Sequence, residues 1–204
     1  MQTPSSQAVE TTRDDILEAA HDLFVSQGYH GTSMRQIAAA AGVAVGGIYN
    51  HFENKEAIFQ AVFAKYHPYH EIIPALEQAQ GERLEDFVRD AATRMVTALA
   101  SRPEFINLVF IEIVEFNSKH IGQIFQDVYP KIQKNLLRMA KDDPRLRPIP
   151  IPLLVRYFIS LFFSYYIAEK ILEGTPTPLA FRSGAMDKFV DIFLHGIIVE
   201  QPEA

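Results

Sequence analysis

The chain is predicted to be all-helical, and two observations carry that expectation. Apolar residues recur at spacings of three and four almost from end to end, the signature of helices with one buried face. One stretch, residues 42–59 (GVAVGGIYNHFENKEAIF), reads as the end of a short helix, a turn, a very short helix and the start of a third. There is no internal repeat and no low-complexity tract. A length of 204 residues with 48% hydrophobic content is enough for a sizeable core, in one domain or two small ones.

The elements follow in order. Residues 1–11 are polar and are expected to be disordered. The first helix carries Ile16, Leu17, Ala20, Leu23 and Phe24 on one face and ends near Gly28. The second is opened by Thr32 or Ser33, either of which can accept a hydrogen bond from a first-turn amide. Ile37, Ala38 and Ala41 form its inner face, and Gly42 sits where a left-handed residue ends a helix without a Cβ clash. Val43 is expected to plug the space between second and third helices. Ile48 and Phe52, four apart, point inward, leaving Tyr49, Asn50 and His51 facing outward. The fourth helix starts near Asn54 and runs through Ile58, Phe59, Val62 and Phe63 toward Pro68.

Beyond it, Pro74 and Gly81 mark breaks. Leu84, Phe87, Val88, Ala91, Met95 and Leu99 form the next stripe, and Pro103 opens a helix reaching Phe116. Ile121, Ile124, Phe125, Val128, Tyr129 and Ile132 form another, with Pro130 expected to kink or offset it. DDPRLRPIPIP is a loop. Residues 153–172 are apolar nearly all round, so a pocket and a partner subunit are expected to cover them. The final helix repeats at Met186, Phe189, Val190, Phe193, Leu194, Ile197 and Ile198.

Two short helices joined by a glycine-containing turn are the sequence form of a helix-turn-helix, whose second helix enters the DNA major groove. The pattern of Gly31, Thr32, Ile37, Ala38, Gly42, Val43, Ile48, Tyr49, His51, Phe52, Lys55 and Glu56 resembles the TetR family of bacterial transcriptional regulators. The resemblance implies an all-α homodimer: a three-helix DNA-binding head over residues 12–60 and a helical ligand-binding and dimerisation body over 61–204. It implies a repressor of an inverted-repeat operator in double-stranded DNA, released by a small-molecule effector.

On that reading Thr32, Ser33, Tyr49, His51 and Lys55 are expected to meet phosphates, Lys55 aided by the free amides of its helix N-terminus. Arg35 and Asn50 are the polar candidates for base contact. Val45 can touch a thymine methyl, while Gly46 and Gly47 let the backbone approach the duplex. The charge is adverse. Through Tyr66 the basic residues are Arg13, Arg35, Lys55 and Lys65; the acidic ones are Glu10, Asp14, Asp15, Glu18, Asp22, Glu53 and Glu56, a net of −3 within the chain's −6. Few cations mean a shallow dependence of binding on salt.

The body supplies ring-bearing residues, together with Met95, for an apolar or aromatic effector: Tyr66, His70, Phe110, Tyr129, Phe162, Tyr165 and Tyr166. The dimer is expected to be a four-helix bundle built on Phe158, Met186, Phe189, Phe193 and Ile197. No cofactor and no metal are expected: cysteine is absent, and His67, His70 and Glu71 read as surface groups. Glu112 and Glu115 read as flanking one side of a solvated stripe, not as an acid–base pair. The alternatives are a helical-bundle enzyme or a protein-interaction scaffold, but no nucleophile motif or phosphate loop is present. The N-terminus lacks the apolar core of a signal peptide. The most apolar run, residues 156–169, falls short of a membrane span, so no membrane is expected and the cytoplasm is the expected compartment.

Overall fold

The computed structural model describes residues 4–140, 145–176, 178 and 183–198. The first three residues and the DDP segment of the loop, residues 142–144, lie outside them. In chain order the helices are α1 (Pro4–Gly31), α2 (Met34–Ala40), α3 (Val45–Ile48), α4 (Lys55–Tyr66), α5 (Tyr69–Glu77), α6 (Leu84–Ala100), α7 (Phe105–Phe116), α8 (Ile121–Ala140), α9 (Ile151–Leu172) and α10 (Ala185–Ile197). Among the described residues the one β feature is an isolated antiparallel bridge between Leu146 and Ile198. The helices fall into two compact units: α1–α4 with α7 and the start of α8, and α5, α6, the rest of α8, α9 and α10.

The first unit is built around one aromatic and aliphatic cluster. Ile16, Leu17, Ala20 and Phe24 of α1 are buried against Ile37 and Ala38 of α2, Ile48, Phe52, and Ile58, Phe59, Val62 and Phe63 of α4. Phe105 and Leu108 of α7 complete it. Each fully buried Phe here contributes about 2–3 kcal/mol of transfer free energy. The expected boundary near residue 60 falls within α4, and α7 joins the unit from far along the chain. The helix at the N-terminus begins at Pro4, not after residue 11. Proline fits a first helical position because its fixed φ suits the helix and its missing N–H would have no partner there. No glycine follows before Gly28 to interrupt the run.

Two glycines take backbone conformations that other residues resist. Gly28, at φ 76°, breaks α1 one turn before its end. Gly42, at φ 68°, terminates α2, with the amide of Val43 returning to the Ala38 carbonyl at 2.9 Å. This is the left-handed exit expected of a glycine just past a helix end.

In the second unit α6 is the spine. Phe87, Val88, Ala91, Ala92, Met95, Ala98 and Leu99 are buried along it, and α5, α9 and α10 pack against it. The alanines let neighbouring helices approach closely. Salt bridges fasten the helices at their rims: Arg102 to Glu71, Arg89 to Asp187, and Arg145 to Glu85 at 2.8 Å. Pro74 does not break the chain as expected. It lies inside α5, where the proline removes one donor but the amphipathic Ile72, Ile73 and Leu76 still bury their face. Pro130 likewise lies within an uninterrupted α8.

Helix α9 is longer than its most apolar run. Over Ile151–Leu172 it is long and apolar enough, by length and composition, to cross a membrane. Leu154, Val155, Phe158, Phe162 and Tyr166 bury one side of it against the bundle.

Candidate nucleic-acid interface

The turn between α2 and α3 is assembled by local hydrogen bonds. Ser33 is the N-cap of α2: its hydroxyl accepts from the amide of Gln36, and the Gln36 side chain accepts from the amide of Ser33 at 2.8 Å. This reciprocal capping box satisfies two otherwise orphaned donors and fixes where α2 begins. Arg35 follows two residues later, exposed, with no ion pair among the described residues. Ile48 and Phe52 are buried, so α3 is anchored from below. Its outer surface is then set: Val45 is 42% exposed, Tyr49 is 54% exposed, and Gly46 and Asn50 are exposed. Nothing lies within 4 Å of a Cβ built on Gly46 or Gly47, so both glycines present bare backbone. His51 is half-buried beside them.

Asn54 caps α4, its side-chain oxygen accepting from the Ala57 amide at 2.8 Å. Lys55 does not extend from this end toward solvent. Its Nζ donates to the carbonyls of Tyr29 and Thr32, both at 2.7 Å, and lies 4.1 Å from the centroid of the Tyr29 ring. Withdrawal from water pushes the Lys55 ammonium below its ordinary pKa, opposed in part by the nearby Glu115. Thr32 is also turned inward. It is 2% exposed and its hydroxyl donates to the Gly28 carbonyl at 2.9 Å. Both had been expected to face phosphates; here they hold the chain between α1 and α2 together, because carbonyls freed by the break at Gly28 need donors.

The other cations are partly engaged as well. Lys65 pairs with Asp14 at 2.7 Å, which holds the Asp14 carboxyl below its usual range. Arg13 is exposed, with its guanidinium 5.0 Å from the centre of the Phe52 ring. The motif pattern did not single out Arg13, because its link to Phe52 spans the whole head. The sequence signal available was only its positive charge on the first helix.

The carboxylates of α7 differ from the expectation. Glu112 is fully buried. One of its oxygens accepts from the amides of His120 at 2.6 Å and Ile121 at 3.2 Å, and the other lies 2.8 Å from His120 Nδ1. It caps the entry to α8 from inside, where Asn117 and Ser118 turn the chain through positive φ. Glu115 bonds the His30 ring at 2.6 Å, and Lys119 pairs with Glu56 at 2.6 Å. The C-terminal end of α7 is thus tied to the end of α1 and the first turn of α4.

The domain family described as bacterial regulatory proteins of the tetR family matches residues 16–62. Residues 16–62 thus carry a TetR-family DNA-binding domain. Over 128 residues it is 30% identical to the HTH-type transcriptional regulator YvkB of Bacillus subtilis (strain 168), covering 62% of this chain and 64% of that protein. Over 120 residues it is 33% identical to the HTH-type transcriptional repressor BepR of Brucella suis biovar 1, covering 52% and 57%. The chain therefore spans less than two thirds of either relative's length. The solved structure of the fatty acid degradation regulator FadR from Bacillus halodurans superposes with a TM-score of 0.68 at 18% identity, covering 95% of this chain and 96% of that one. Both curated relatives are HTH-type transcriptional regulators by name, and the solved structure shares this chain's fold.

The residues expected around an effector are dispersed. Tyr66 lies in the first unit, stacked on His21 with ring centroids 3.9 Å apart, and Phe110 is 56% exposed on α7 of that unit. The others belong to the second unit. Met95 and Phe162 are buried in its core, Tyr129 is half-buried on α8, and His70 packs against the Tyr69 ring. Tyr165 and Tyr166 line a common cleft, of about 410 Å³, with Val96, Ala100, Glu169, Lys170 and Glu173. Burial, and then the charge of Glu169, raise the pKa of Tyr165.

The residues expected at a dimer contact are mostly committed within the subunit. Phe158, Phe193 and Ile197 are buried against one another's helices, with the Phe158 and Phe193 rings 5.7 Å apart. Met186 and Phe189 are half-buried. The large apolar residues left outside on these helices are Leu153, Tyr157, Ile171 and Ile192.

Proposed function

We propose that this protein is a homodimeric, DNA-binding transcriptional regulator that acts in the cytoplasm as a repressor and is released from its operator by a small apolar or aromatic molecule. The observation that supports it best is the surface of α2 and α3. Arg35 of α2 is exposed, and on α3 and its exit Val45, Tyr49 and Asn50 are exposed beside the open backbone of Gly46 and Gly47, around a turn anchored by the buried Ile48 and Phe52. Such a surface can enter a major groove, with Arg35 placed to donate to a guanine.

The dimer reading uses the exposed sides of α9 and α10. Leu153, Tyr157, Ser160, Ser164, Ala168 and Ile171 are spaced three and four apart along α9, all exposed. Small residues in the middle of that stripe permit close helix approach, and Ile192 of α10 is 65% exposed. A second copy meeting this face by two-fold symmetry would present two heads to DNA, so the operator should be an inverted repeat. The effector reading uses the cleft at Tyr165 and Tyr166, whose aromatic walls suit a flat or apolar compound.

The test is selection of duplexes from a random pool, followed by affinity measurement at several salt concentrations. An inverted repeat with a slope of log K against log [salt] near −4 is expected, since Arg13 and Arg35 of two subunits offer about four phosphate or base contacts at roughly −0.9 each. Failure to enrich any duplex would refute the reading.

A further inference from the structure

We propose that Lys55 is a positioning residue for DNA binding: it sets where α2 and α3 stand by clamping the chain between Gly28 and Ser33, and it touches no phosphate. The proposal rests on the DNA-binding reading above, and on geometry that is independent of it. After Gly28 the backbone leaves α1, and its carbonyls lose their helical partners. The Thr32 hydroxyl and amide take up the carbonyls of Gly28 and Tyr29. Lys55 supplies the rest, donating to the carbonyls of Tyr29 and Thr32 at 2.7 Å each and resting over the Tyr29 ring.

An ammonium has three donors. Two are spent on carbonyls and the third faces the ring, where the quadrupole attracts it. The ring in turn cannot swing away. Phe24, Phe59 and Phe116 surround it at centroid distances of 5.7, 5.8 and 4.9 Å. Thr32 directly precedes Ser33, the N-cap of α2, and the capping box carries that placement on to Arg35. A side chain from the first turn of α4 thereby fixes the start of α2. Losing it would strand the Thr32 carbonyl, on a residue that is 2% exposed, and leave the Tyr29 carbonyl to the Thr32 amide alone.

Two measurements on Lys55→Met test this. Without DNA, amide exchange across residues 29–36 should quicken at least tenfold while the amides of α6 keep their protection. With a duplex selected by the wild-type protein, affinity should fall at least tenfold at fixed salt while the slope of log K against log [salt] stays that of wild type. A slope shallower by about 0.9 for each contact removed is the signature of a lost phosphate contact and would overturn the proposal. Unchanged exchange, or unchanged affinity, would overturn it equally. Should Lys55→Met fail to fold, Lys55→Gln keeps one neutral donor and is judged by the same criteria. Should the wild-type protein bind no duplex, the DNA reading falls, and amide exchange alone decides whether Lys55 holds the segment.

Discussion

The exposed side of α2–α3 and the exposed side of α9–α10 are both left open by this chain, and they differ in kind. The first offers one arginine, small residues, an amide and a phenol over a tightly hydrogen-bonded turn. The second offers Leu153, Tyr157, Ile171 and Ile192 around a strip of serines and an alanine. A polar surface with bare backbone suits a hydrated, charged groove, where water and phosphate replace one another at little cost. An apolar strip gains only by leaving water, which needs a surface as apolar as itself. The contrast teaches that in this head charge is spent on architecture. Lys55 and Lys65 are drawn into internal contacts, so recognition falls on geometry and on very few cations.

The strongest way to break that contrast is to put charge on the apolar strip. Ile192→Asp would bury an unpaired carboxylate wherever two copies meet, at a cost of several kcal/mol. Sedimentation should then show monomers, and operator affinity should drop by at least a hundredfold, since one head loses the help of the other. A stable Ile192→Asp dimer would move the interface elsewhere.

The next largest effect lies inside the head. Glu112→Ala removes the acceptor of two backbone amides and of the His120 ring, the His120 bonds buried and the Ile121 bond partly so. A loss of about 3 kcal/mol in unfolding free energy is expected, the scale for stranding partners of a buried charged group. Glu112→Gln, which keeps a carbonyl acceptor, should recover part of it. Denaturant titration separates the two, and equal stability in all three proteins would show that the cap contributes nothing.

Arg35→Ala sharpens the contrast on the DNA side. If Arg35 reads a base, about 1–3 kcal/mol of affinity should be lost against the preferred base pair and little against the others. A uniform loss across operator variants would make it a phosphate contact. The smallest effect belongs to Ser33→Ala. Losing an N-cap costs about 1 kcal/mol, visible as a lowered melting temperature with the dimer intact. No change would mean that the capping box is not what places α2.

Most of the head was legible in the sequence because its determinants are local. Gly42 ends α2, Ser33 caps it and Asn54 opens α4, each through contacts within five residues, and Ile48 and Phe52, four apart, share the face that turns inward. A helical stripe such as that of α7 announces only that a face will be buried, not which neighbour buries it. The sequence therefore did not reveal that Phe105 and Leu108 join the head's core. For the same reason Phe158, Phe193 and Ile197 read as a dimer face but fill their own subunit. The fates of Lys55, Thr32 and Glu112 were likewise set by tertiary structure alone. A charged or hydroxylic side chain is exposed by default, and only the arrival of unpartnered backbone groups, from Gly28–Thr32 or from the entry to α8, turns it inward. Sequence determined the helices and the turn; long-range hydrogen-bond demand decided which of their polar groups remained free to act.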